Sequence, residues 1–139
     1  MVRKQKRTIA CMTGTRADYP RIKSVLYEIQ RRKNLELKLI VTGSHLLPEY
    51  GESLKEIETD GFEIAAHVPM FDDDDSPYGM AKAAARCSDG MADVLKKIDP
   101  DIFLITVDRV ETLATAQTVA LMNIPMAHVQ GGEIGRAHV

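Results

Sequence analysis

Thr8-Ile9-Ala10-Cys11-Met12, running into Thr13-Gly14-Thr15-Arg16-Ala17-Asp18-Tyr19, is the stretch that decides the fold. Its opening is almost wholly apolar, which suits a strand buried on both faces better than one with a wet side. From Tyr19 to Arg32 the period changes. Ile22, Val25, Leu26 and Ile29 fall three or four residues apart, with Asp18 placed to cap a helix and Pro20 in its first turn. The unit is strand, tight loop, helix.

Downstream the unit repeats. Leu35 to Val41 reads as a second strand closing at Thr42-Gly43-Ser44-His45, and Glu49 to Asp60 as a shorter helix stopped by Gly61. Glu63 to Met70 follows as a third strand. Asp72 to Asp75 must then be a loop, because four adjacent carboxylates repel one another in any packed element. Met80 to Ile98 is helical by period, and Asp99-Pro100-Asp101 breaks it. Ile102-Phe103-Leu104-Ile105-Thr106-Val107 is the most apolar strand, Glu111 to Met122 the next helix, and Ile124 to Val129 the last strand, ending at Gly131-Gly132. Strands alternating with helices predict an α/β fold: a Rossmann-like, doubly wound parallel sheet with right-handed crossovers. The chain, residues 1–139, is read as one such domain.

Bulk composition narrows the function. With 45% hydrophobic and 27% charged residues among 139, the chain is neither disordered nor fibrous. A net charge of −2 supplies no field for a nucleic-acid backbone, despite the basic start Arg3-Lys4-Gln5-Lys6-Arg7. No window approaches the roughly 20 apolar residues of a membrane helix. The expectation is a cytoplasmic protein with no nucleic-acid or membrane partner. Cys11 and Cys87 have no metal or redox spacing and read as packed, reduced side chains; neither a metal nor a cofactor is expected.

In a doubly wound sheet the ligand crevice lies beyond the carboxyl ends of the strands. Four segments fall there. At Gly14-Thr15-Arg16-Ala17-Asp18 the glycine lets backbone approach a ligand, the helix start offers N–H groups, and Arg16 suits phosphate. Without a GxGxxG this is equally a plain turn with a surface arginine. The second segment is Gly43-Ser44-His45, where His45 alone reads more readily as a packed histidine; the same holds for His128 in the fourth. In the third, Asp108-Arg109-Val110-Glu111, the charged pair is either an ion pair at a helix start or a catalytic acid or base with its arginine. The fourth is His128-Val129-Gln130-Gly131-Gly132-Glu133.

Taken together and in order, Thr13 to Tyr19, Gly43-Ser44-His45-Leu46, Asp108-Arg109-Val110-Glu111-Thr112-Leu113 and Asn123-Ile124-Pro125-Met126-Ala127-His128 resemble the hydrolysing UDP-N-acetylglucosamine 2-epimerases of sialic- and legionaminic-acid synthesis. The resemblance implies the N-terminal half of a two-domain glycosyltransferase-B fold. It implies a small-molecule UDP-sugar substrate, no cofactor, and a homo-oligomer for the full-length enzyme. It also implies loss of UDP with removal of the C2 proton, a glycal intermediate, and water addition to give N-acetylmannosamine. Asp108, Glu133, His45 and His128 then fall at catalytic positions. Gly14, Thr15, Arg16, Asp18, Ser44, Arg109, Glu111 and Gln130 fall at substrate-binding ones.

Three departures qualify that match. Many relatives carry glycine where Val107 stands, and several carry glutamate at Gln130, an amide that cannot act as acid or base near neutral pH. Residues 133–139 depart from the family's continuation and are expected to be a non-native tail, on a fragment expected to be inactive alone. The rival readings are a noncatalytic nucleotide-binding module and a glycosyltransferase of the same architecture.

Overall fold

The structure is a computed structural model and describes residues 6–131. Five parallel strands, β1 (Arg7–Thr13), β2 (Leu35–Thr42), β3 (Ile64–Val68), β4 (Ile102–Thr106) and β5 (Met126–Val129), form one sheet in the order β3-β2-β1-β4-β5. The helices are α1 (Tyr19–Arg31), α2 (Gly51–Thr59), α3 (Pro77–Ile98) and α4 (Val110–Leu121). This is the doubly wound sheet that the alternation predicts.

Strand alternation sorts the side chains into two layers. Ile9 and Cys11 of β1 face one way with Leu39 and Val41 of β2, against Ile22 and Leu26 of α1 and Ile57 of α2. Ala10 and Met12 face the other way with Ile40, Phe103 and Ile105, against Cys87, Met91 and Leu95 of α3 and Val119 of α4. The first three strands are laid down from β1 outward in one direction. The chain then crosses back to start β4 on the other side of β1, so the winding reverses between β1 and β4. Loops leaving those two strands part there and open a crevice at their carboxyl ends.

Local chemistry moves several boundaries. The helix after the acidic loop begins at Pro77, three residues ahead of the apolar period, because Ser76 accepts a hydrogen bond from the Gly79 N–H at 3.1 Å and Pro77 preorganises the first turn. The predicted helix from Glu49 is a 3-10 turn, Pro48–Tyr50, followed by α2, and Gly61 at φ 89° ends it as expected. Asp18 corrects the reading in kind. It adopts helical backbone angles, φ −87° and ψ −33°, and its side chain caps nothing in α1. An extended conformation is what lets a cap reach forward; lacking it, Asp18 turns back into the loop.

Candidate functional site

On the β1–β2 side the polar groups are buried and committed to one another. Asp18, 4% exposed, accepts through Oδ2 from the Gly14 N–H at 3.1 Å, the Thr15 N–H at 3.0 Å and the Thr15 hydroxyl at 3.2 Å. Its Oδ1 lies against the Thr13 hydroxyl. Thr13 Oγ1 is in turn 2.9 Å from His45 Nε2, and His45 Nδ1 is 2.8 Å from Ser53 Oγ. His45 is 1% exposed. Burial lowers its pKa, opposed by the charges of Asp18, Glu111 and Glu56. The backbone closes the same ring of contacts: the His45 N–H donates to Gly14 O at 3.3 Å, and the Ser44 hydroxyl to the same oxygen at 3.2 Å.

Glu111 links this side to the other. The first turn of α4 carries it to 1% exposure beneath the glycine turns, where its Oε1 accepts from Arg109 Nε at 2.9 Å. Gly14 and Gly43 make room for it. A Cβ on Gly14 would sit 2.6 Å from Glu111 Oε1; one on Gly43, whose φ is 62°, would sit 2.6 Å from Gly14 O. Both glycines are therefore required by close approach, not by loop flexibility. Glu111 Oε2 is buried without a hydrogen-bond partner among the described residues.

The β4–β5 side is open. Asp108, the Arg109 side chain (48% exposed) and His128 line a cleft of about 410 Å³ with Leu113 and Met126. His128 Nε2 lies 2.7 Å from Val107 O. A carbonyl only accepts, so Nε2 carries the proton of this contact. Val107 sits at φ 58°, a left-handed backbone that strains a β-branched residue, and it does so immediately before Asp108.

A second hollow of about 460 Å³ runs from Arg16 along α2, lined by Glu52, Glu56 and Asp60 together with Lys55. Lys55 and Lys23 are paired to Glu52 and Asp60, so the hollow keeps an acidic balance, and the β1–β4 crevice at the carboxyl ends of the strands is the site of interest.

The structure thus gathers Gly14, Thr15, Arg16, Asp18, Ser44, His45, Asp108, Arg109, Glu111 and His128 at the carboxyl ends of β1, β2, β4 and β5. Arg16 is exposed beside the buried turn. Gln130 sits on the outer rim, where its Oε1 accepts from Arg21 at 3.3 Å. Glu133 lies outside the described residues. Thr13 and Ser53 were missed as partners of His45; no spacing marks a threonine inside a strand or a serine eight residues away as ligands of a histidine. The cysteines behave as read: both are buried, and burial pushes the Cys11 thiol up to about 12. Among the described residues no group of three metal-binding side chains occurs, and no helix is long and apolar enough to cross a membrane.

The family model described as UDP-N-acetylglucosamine 2-epimerase matches residues 27–136, most of the chain. The chain belongs to that family. It is 36% identical over 129 residues to GDP/UDP-N,N'-diacetylbacillosamine 2-epimerase (hydrolyzing) of Campylobacter jejuni, covering 93% of this chain and 33% of that protein. It is 37% identical over 127 residues to UDP-N,N'-diacetylbacillosamine 2-epimerase (hydrolyzing) of Legionella pneumophila, covering 91% and 34%. The chain spans about a third of the length of these relatives. Its fold matches the crystal structure of the Neisseria meningitidis UDP-GlcNAc 2-epimerase bound to UDP-GlcNAc, with a TM-score of 0.76 at 19% identity over 90% of this chain and 32% of that one. A Listeria monocytogenes structure described as a UDP-N-acetylglucosamine 2-epimerase gives 0.79 at 18% identity, over 91% and 32%. Both have the glycosyltransferase-B type of fold.

Proposed function

We propose that this epimerase-family chain forms one wall of a nucleotide-sugar site in a hydrolysing 2-epimerase, acting on a UDP-linked 2-acetamido sugar. The observation that carries the reading is the cleft shared by Asp108, Arg109 and His128 on the β4–β5 side of the point where the sheet reverses its winding. Exposed Arg16 and Arg109 flank the mouth of the crevice, where guanidinium groups fork onto a diphosphate and take up the charge that builds as it leaves.

In the proposed reaction the C1–O bond breaks with its electron pair going to UDP, and a base removes the C2 proton, leaving a C1–C2 double bond. Water then adds its hydroxyl to C1 and a proton returns to C2 from the opposite face, giving free N-acetylmannosamine or its diacetylated counterpart. Asp108 is assigned the proton transfer, and His128 lines the same cleft beside it. Arg16, Arg109, Ser44, Gly14 and Thr15 are assigned to the nucleotide side. Asp18 and Glu111 face inward and shape the turn and Arg109 behind the ligand; Gln130 at the rim is assigned to binding, and Glu133 to the acidic group that follows the last glycines. The homo-oligomer and cytoplasmic location expected of the full-length enzyme belong to the same reading.

Solvent exchange tests the chemistry. A chain spanning the relatives' full length, incubated with UDP-N-acetylglucosamine in D2O, should release UDP and place deuterium at C2 of the product. UDP release without C2 deuterium would reject the epimerase step and leave a simple hydrolase or a transferase.

A further inference from the structure

His45 stands at a catalytic position by resemblance, yet it is 1% exposed and both ring nitrogens face hydroxyls. Counting donors along its chain of contacts shows what it does. Ser53 has one hydroxyl proton and donates it to Tyr50 O at 2.7 Å, since a carbonyl cannot donate. Ser53 Oγ therefore accepts from His45, and Nδ1 carries a proton. At the far end, Asp18 Oδ2 already receives three donors, so it carries none itself. Between these ends lie two contacts, Asp18 Oδ1 with Thr13 Oγ1 and Thr13 Oγ1 with His45 Nε2. Each needs a proton. Thr13 brings one, and an ionised Asp18 facing a neutral His45 brings no other.

We infer that Asp18, Thr13 and His45 form a positioning device that closes on one additional buried proton, and that it holds the Gly14–Arg16 turn in place for the anionic ligand. The role given to that turn rests on the proposed nucleotide-sugar site; the proton count does not. The extra proton has two seats. On His45 Nε2 it makes an imidazolium that donates to Thr13, which donates to Asp18; the three donors on Oδ2 favour this seat by holding the negative charge there. On Asp18 Oδ1 it makes a carboxylic acid that donates to Thr13, which donates to a neutral His45. Burial disfavours the imidazolium, while the charges of Asp18, Glu111 of α4 and Glu56 of α2, and a hydrogen bond to the Thr15 backbone, favour it. Without the extra proton, two acceptors face each other in the interior, where an unsatisfied group is costly.

His45 is thus a positioning residue, and the proton chemistry of the reaction is left to the open side of the crevice. The geometry also predicts which substitution is tolerated. In Asp18→Asn the amide oxygen accepts the three donors of the turn while the amide NH2 donates to Thr13, a permanent copy of the protonated carboxyl. Thr13→Val removes the relay.

The experiment is nitrogen-detected NMR of the histidine rings in the full chain at pH 7, with the Asp18 carboxyl carbon observed alongside and no ligand present. The expected spectrum has both His45 nitrogens protonated, or a neutral Nδ1–H ring beside a protonated Asp18. A neutral ring beside an ionised Asp18 overturns the inference. Amide exchange at Gly14 and Thr15 supplies the second readout. Asp18→Asn should stay within about threefold of the parent with a neutral His45, and Thr13→Val should exchange roughly tenfold faster. Equal loss of protection in the two variants would also overturn it. If Thr13→Val does not fold, the ring spectrum and Asp18→Asn decide alone, and failure of UDP to bind leaves this result untouched.

Discussion

The two sides of the crevice differ in kind. Toward β2, His45, Thr13, Asp18 and Glu111 are buried, and all but one of their side-chain polar atoms discussed above meet a partner. Toward β5, Asp108, Arg109 and His128 are exposed, and the hydrogen bonds seen there set the orientation of Arg109 and His128. Groups that meet a substrate must keep valences open to it, whereas groups that shape a backbone turn are best satisfied and dry. One side is built to hold still and the other to react.

Substitutions at the two sides should therefore separate stability from activity. The largest loss is expected for Gly14→Ala, whose Cβ would meet Glu111 Oε1 at 2.6 Å: about 3 kcal/mol from urea unfolding of the chain. A cost below about 1 kcal/mol would mean the Glu111 side chain moves freely and the buried side is not rigid. His45→Ala leaves Thr13 and Ser53 without their shared partner and should cost about 2 kcal/mol. Val107→Gly acts in the opposite direction, stabilising by about 1 kcal/mol because glycine accepts the left-handed backbone at φ 58° that valine resists. In contrast, Asp108→Asn on the open side should alter stability by less than about 0.5 kcal/mol while turnover of the full-length enzyme falls at least roughly a hundredfold. A large stability loss there would erase the distinction between the sides.

The smallest effect concerns pH and lies away from the crevice. Lys23 at 2.6 Å, and then the Tyr19 hydroxyl at 2.6 Å, hold the Asp60 carboxyl below its ordinary value of 3.8. A depressed carboxylate stabilises the fold above its unfolded pKa and loses that contribution as pH falls through the folded one. The stability gap between the parent and Asp60→Asn should accordingly be present at about pH 5 and narrow toward about pH 2.

The fold was legible because burial on both faces leaves unbroken apolar runs such as Ile102 to Val107, and because Gly61 marks a helix end by chemistry that any helix needs. The positions of the site segments followed from the topology. Their roles did not. Asp18 has the look of a helix cap, and only its backbone angles show the side chain turning back. The burial of Glu111 depends on two glycines 29 residues apart, Gly14 and Gly43, coming together above it. Such pairings are set by strand register and have no local signal in the sequence. Val107 is the instructive middle case: a valine where relatives often have glycine marks a departure in the sequence, and the structure gives it a left-handed φ of 58°.

The measurement that bears most directly on the central claim is amide NMR of the labelled chain titrated with UDP and with UDP-N-acetylglucosamine, beside Arg16→Ala. Shifts clustered at Gly14, Thr15, Arg16, Ser44, Asp108 and Arg109, lost in the variant, are the expected result. A folded spectrum with no shifts at roughly millimolar ligand, or with shifts confined to the acidic hollow along α2, would contradict it.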